Sequence, residues 1–453
     1  MNGDTGGLGE LAEASDASRS RDRHAEAVLE ARLGRPARDV LEATVVLEAW
    51  TGRPARSSMS AARDLINLEA PRARAISEHN PFESSAQHSV VAEGITLVLL
   101  IMSVAAWATP IRRQLGPDVL SQAIRVALPL AMAIQWGLRS RYLSRPHGLA
   151  LLARDGVICL ILFAMIDIAL AFIPQWGPVA ATLLPVWVGG TVVTMRGWGL
   201  IYAAVLVAGT FALGRGLDAL AVLGALGGIA LIMSVVAVQT GRGVTYQRSG
   251  PTRRAILAAL IGGALGVLLI GDRSLGWGVH GIYPAIALLP SVIGSIWGGY
   301  YLWNFYDAVP RGLRGVSLEG ARRAAFSDPA MSIFVGGVMR LIIATFVLTG
   351  IVVALSDLTH GTDAPTVFLA FGCVGLLCLL IGLLEAFALQ YAALVAAGLS
   401  LAAEFAWQTF VPGHAPGAAL AAGALVGIAI CFPLLLLRLS RSGRVLATTL
   451  WIH

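Results

Sequence analysis

Residues 156–174 read GVICLILFAMIDIALAFIP, a run with one charge, Asp167. As a helix rising 1.5 Å per residue, it spans roughly 28 Å, close to the ~30 Å of a bilayer's hydrocarbon core. Eleven further apolar segments lie around it. Their cores are 91–109, 119–137, 178–195, 198–214, 218–238, 255–271, 279–303, 332–355, 366–388, 390–410 and 416–437. The spacing predicts an all-α polytopic transmembrane bundle of about twelve helices. The composition agrees. Of 453 residues, 56% are hydrophobic and 13% charged, against about a quarter charged in soluble domains. The mean hydropathy is +0.73. An ordinary soluble enzyme and a disordered chain are both excluded.

All 33 basic residues are arginine. A chain without lysine cannot be a P-loop ATPase, whose lysine reaches the phosphates. Nor can it form a Schiff base on lysine. The four cysteines, Cys159, Cys373, Cys378 and Cys431, stand in apolar runs without zinc-ligand spacing. No metal or cofactor is expected, and no nucleic-acid partner. HExxH and GxSxG are both missing, and the outer loops are too short for an acceptor-binding domain. The chain therefore reads as a non-enzyme.

Residues 1–88 contrast with the rest, holding 14 acids and 11 arginines. Residues 1–19 are rich in Gly, Ser and acids, without the apolar core of a signal peptide, and read as a disordered tail. Residues 20–88 read as a cytosolic helical region. In it, 30–38 (EARLGRPAR) matches 48–56 (EAWTGRPAR) at seven of nine positions. Gly followed two residues later by Pro ends one helix and starts the next. Three short helices are expected, either as plain helix–turn repetition or as a docking module for a cytosolic protein.

Loop arginines set the expected topology. With the N-terminus inside, inner loops and the tail at 438–453 hold 16 arginines and outer loops 4. This asymmetry places both ends in the cytosol of a bacterial inner (plasma) membrane. The basic, Gly/Pro-broken linker 241–254 divides the membrane region into 89–240 and 255–437, six segments each. Many transporters are built in such halves, with the site between them.

Charges inside segments include Asp167, Arg125, Arg340, Glu385 and Glu404. Each costs about 2.5–3.5 kcal/mol on insertion scales, so pairing or a wet cavity must offset it. These are the expected substrate or coupling residues, Asp167 foremost; structural ion pairing is the plainer alternative. The eighth segment exits through YYLWNFYD at 300–307. Its Tyr300, Tyr301 and Trp303 suit an interfacial belt or a stacking wall for sugar rings. Prolines at 129, 185, 284, 290 and 433 mark helix breaks. The loop at 310–326 carries Arg311, Arg314, Arg322 and Arg323 among apolar residues. It suits an amphipathic stretch on anionic membrane lipid, or capture of a lipid-linked diphosphate. GxxxG pairs at Gly224/Gly228, Gly262/Gly266, Gly294/Gly298 and Gly423/Gly427 predict close helix contacts.

The layout of 89–437 resembles the multidrug/oligosaccharidyl-lipid/polysaccharide exporters. No diagnostic motif accompanies the likeness. The loop 139–147 (RSRYLSRPH) departs from the motif that major facilitator transporters carry between helices two and three. The resemblance implies a transporter or flippase for a lipid-linked oligosaccharide or polysaccharide precursor of the cell envelope, working by alternating access. A contrasting expectation is a non-catalytic membrane scaffold that docks a cytosolic glycosyltransferase through residues 20–70.

Overall fold

A segment surrounded by hydrocarbon must satisfy its own backbone, and the α-helix does so without neighbours. The computed structural model describes 106–143, 148–240, 252–272, 364–387 and 389–439, with scattered residues in 43–62, 98–103, 335–347 and at Leu275. Among the described residues, nine α-helices are bounded and no strand occurs. They are α1 Pro117–Leu138, α2 Gly148–Ala171, α3 Gly177–Met195, α4 Gly199–Gly214, α5 Ala219–Thr240, α6 Thr252–Gly271, α7 Ala364–Ala386, α8 Gln390–Phe410 and α9 Ala418–Leu439. Eight of them are long and apolar enough to cross a membrane; α4 is the shorter exception. These helices fit an integral membrane protein with multiple spans.

Nine of the twelve expected segments coincide with these helices. Segment 279–303 lies outside the described residues. Segments 91–109 and 332–355 are described in part, helical wherever they are. The chain divides into two compact units, Met1–Ser85 with Leu446–His453, and Ala86–Val445. In the first, the described residues are helical, with Ala43, Leu47 and Ala62 buried. The disordered tail 1–19, the EARLGRPAR repeat and the count of three helices lie outside them.

One boundary differs from expectation. Helix α2 begins at Gly148, eight residues ahead of the expected core. The early turns carry Arg154 and Asp155, which a segment read by hydropathy leaves out. They are tolerated because they are partnered. Helix α1 runs into a π-helical turn, Arg139–Leu143, which brings Tyr142 and Arg141 against α2. The Tyr142 hydroxyl donates to Asp155 Oδ2 at 3.0 Å, and Arg141 lies 3.8 Å from the same oxygen.

Within the second unit α3 is central and α2 peripheral: 72% of the apolar window of α3 is buried, against 17% for α2. Val157, Ile161, Met165 and Ile168 of α2, and Phe172 just after it, are exposed, as lipid-facing side chains are. Helices α1 and α5 flank α3. Helix α1 packs along α6, α6 on α8, α8 on α9, and α9 on α7.

Two of the four GxxxG pairs make these contacts. A Cβ on Gly262 would sit 2.5 Å from the Met132 carbonyl oxygen, and one on Gly266 would sit 2.6 Å from Pro129 Cα. Small residues there let α6 lie directly on α1. Gly423 and Gly427 do the same for α9 on α8. Gly224 and Gly228 face open space, so that pair packs no helix among the described residues. Gly294 and Gly298 lie outside them.

Polar side chains add links between helices. Gln135 Nε2 donates to the Trp187 carbonyl at 2.7 Å, the Tyr202 hydroxyl to the Val186 carbonyl, and Trp107 Nε1 to Thr210 Oγ1 at 3.0 Å. Each such bond contributes about 0.6 kcal/mol in a membrane bundle.

Candidate functional site

The clearest polar cluster inside the bundle forms where α6 ends against α8 and α9. Ser400 and Glu404 are one turn apart on α8, so both point to one face. That face meets the glycine stripe of α9. A Cβ on Gly423 would stand 2.6 Å from the Ser400 carbonyl oxygen and 2.9 Å from Glu404 Cβ, and one on Gly427 would overlap Ser400 Oγ. Ser400 spends its hydroxyl proton on the Ala396 carbonyl, at 2.8 Å. Glu404 has no such outlet. Its carboxylate lies against the last residue of α6, where a Cβ on Gly271 would come within 2.5 Å of Oε2.

Glu404 is 1% exposed. Neither of its oxygens accepts a hydrogen bond of regular geometry among the described residues. The backbone N–H of Asp272 is directed at the carboxylate, and the Asp272 side chain acts on it as a second negative charge. An isolated buried carboxylate is among the costliest groups a fold can hold.

Asp272, wholly buried, follows α6 directly. Its Oδ2 accepts the backbone N–H of Gly417 at 3.0 Å. Gly417 immediately precedes α9, so the carboxylate caps the positive end of that helix from a distant part of the chain. The turn between α8 and α9 reads VPGHAPG over 411–417, with Gly413 at φ 73° and Gly417 at φ 84°, backbone that favours glycine. It holds His414 with Nε2 3.8 Å from Asp272 Oδ1. His414 Nδ1 is 2.9 Å from the Val411 carbonyl. A carbonyl only accepts, so Nδ1 carries the proton and Nε2 carries one only in the imidazolium form.

The other expected residues do not join this cluster. Glu385 sits at the opposite end, on the last turn of α7, where Arg139 acts on it electrostatically. That end also holds Arg141 donating to Thr252 Oγ1 at 3.0 Å, Arg253 donating to the Tyr391 hydroxyl, and Arg438 on the Phe387 carbonyl at 3.4 Å. Asp167 is half-buried on peripheral α2, with Oδ1 lacking a hydrogen bond. Arg125 is exposed on α1. Arg340, Tyr300, Tyr301, Trp303, Arg311, Arg314, Arg322 and Arg323 lie outside the described residues, as do Pro284 and Pro290.

Of the cluster, the intramembrane-charge argument picks out Glu404 alone. Asp272 escapes it because it lies one residue past an apolar run, where a charge is ordinary. His414 escapes it because it stands in a turn. The Asp272–Gly417 bond that anchors the cluster joins residues 145 apart in sequence. Among the described residues no three His, Cys, Asp or Glu side chains are grouped to hold a metal ion. The arrangement suits neutralisation of a buried carboxylate pair.

No protein-family model matches the chain, and no curated protein and no solved structure matches it. Fold and site together define a multi-span helical membrane protein with a buried carboxylate site at one end of its bundle.

Proposed function

We propose that the chain is a membrane transporter or flippase, working by alternating access between two six-helix halves at 89–240 and 255–437. Its proposed place is the bacterial inner membrane, with both termini cytosolic and the arginine-rich end inward. The observation that carries transport is Glu404: a carboxylate inside a membrane bundle marks an ion or substrate path by default, and this one is buried at a junction of three helices without a hydrogen bond of regular geometry among the described residues. The substrate class, a lipid-linked oligosaccharide or polysaccharide precursor, rests on the layout resemblance of 89–437. The arginines at 311–323 and the aromatic run at 300–306 are residue types that suit a diphosphate and sugar rings. No catalysis is proposed.

The test is a lipid extract from a deletion strain, profiled by mass spectrometry for polyprenyl-linked sugars. A flippase predicts accumulation of one lipid-linked glycan with loss of its surface product; an unchanged profile removes that substrate class. A second reading is a scaffold that docks a cytosolic glycosyltransferase through residues 20–70. It is favoured by Met1–Ser85 falling in a compact unit apart from the membrane region. Deleting 1–80 abolishes function under the scaffold reading and spares it under the transporter reading.

A further inference from the structure

We infer that the junction of α6, α8 and α9 is a binding site for one monovalent positive charge, a sodium ion or a proton, held by Glu404 with Asp272. The inference deepens the transporter reading by naming the coupling ligand, yet it concerns binding alone.

The argument is one of charge and satisfaction. Two carboxylates, Glu404 at 1% and Asp272 at 0% exposure, face one another's fields in the bundle. Asp272 is provided for: the Gly417 N–H lies on Oδ2 and His414 Nε2 is 3.8 Å from Oδ1. Glu404 is not, since both of its oxygens are buried without a hydrogen bond of regular geometry among the described residues.

Among the described residues, the elements packed around it offer neither a cation nor a free side-chain donor. From α8 itself comes Ser400, whose proton is committed to Ala396. From α9 come Gly423 and Gly427, which have no side chain to donate. From α6 comes Gly271, which has no side chain, and directly after it Asp272, whose backbone N–H is directed at the carboxylate while its side chain adds a like charge. The one ionisable donor in the turn above is His414. Its Nδ1 proton is committed to Val411, and an imidazolium proton on Nε2 would serve Asp272, the carboxylate beside it.

One positive charge is therefore still called for at Glu404. A divalent ion fits less well: calcium takes six to eight oxygens and magnesium a strict octahedron, and no third acid joins the cluster among the described residues. The glycines at 271 and 423 keep the walls close, so the occupant is small.

Binding is read on the full-length purified chain in detergent micelles, without substrate. Thermal unfolding is followed by tryptophan fluorescence in sodium chloride against choline chloride at constant ionic strength. Infrared spectra of the same samples report protonated carboxyl groups. A ligand that binds only the folded state raises Tm with its concentration. A saturable rise of a few degrees in sodium, absent in Glu404→Gln and weakened in Asp272→Asn, establishes a sodium site. No sodium response, with a protonated-carboxyl band that Glu404→Gln removes, establishes a proton site. Should Glu404→Gln fail to fold, Asp272→Asn must shift the same band or the same sodium response. A wild-type protein with neither response overturns the inference. A cation response with an unchanged glycan-lipid profile keeps the site and removes the flippase.

Discussion

At the arginine-rich end of the bundle, acids meet cations; at the other end, Glu404 meets another acid. Asp155 has Tyr142, Arg141 and Arg154 around it, and Glu385 has Arg139. These groups are partly exposed, with side-chain exposures of 30% for Arg141 and 23% for Asp155, where water shares the work. Glu404 is walled in by glycines instead. A fold gains nothing in stability from a buried carboxylate without a cation beside it, so such a group stands for a ligand more readily than for architecture. The contrast separates charges that help hold helices together from a charge that helices are arranged around.

That contrast can be broken by experiment. The largest expected effect is on function: under the proposed transporter reading, Glu404→Gln should abolish transport while leaving Tm unchanged or higher, because a neutral amide costs less to bury. A variant that exports normally would return Glu404 to a structural role. Next comes packing. Gly423→Val places methyl groups against the Ser400 carbonyl and Glu404 Cβ, and should cost about 1–3 kcal/mol of stability, the usual range for overpacking. Tm in detergent checks it, with Gly224→Val, which faces open space, as a near-neutral control.

Asp272→Ala should then cost about 1–3 kcal/mol by leaving the Gly417 N–H buried and unpaired. Asp272→Asn keeps an acceptor and should recover most of that, so the two Tm values separate the helix cap from the charge. The smallest effect belongs to the opposite end. Arg141→Gln should change stability by less than about 1 kcal/mol, as partly exposed ion pairs do, and should leave export intact. A large loss there would erase the distinction between the ends.

How much of this is readable along the chain depends on range. Nine helices sit on apolar segments because the hydrophobic match to a bilayer is a local property, counted over about twenty residues. Even the misplaced start of α2 is instructive. Arg154 and Asp155 look like loop residues until Tyr142 and Arg141 are seen to receive them. Glu404 is visible too, since a lone acid in an apolar run needs no partner to be noticed. Among the glycine pairs the spacing alone does not discriminate: Gly262/Gly266 and Gly423/Gly427 support helix contacts, and Gly224/Gly228, of identical pattern, faces open space.

Composition and periodicity thus suffice for the class of molecule and the positions of the nine bounded helices, because both follow from the free energy of moving a short stretch between water and lipid. The pairing of Asp272 with Gly417, the approach of His414 and the lack of a cation beside Glu404 among the described residues follow from none of these. They arise only when α6, α8 and α9 close on one another, since whether a buried charge is satisfied is a property of its neighbours in space and not of its neighbours in the chain.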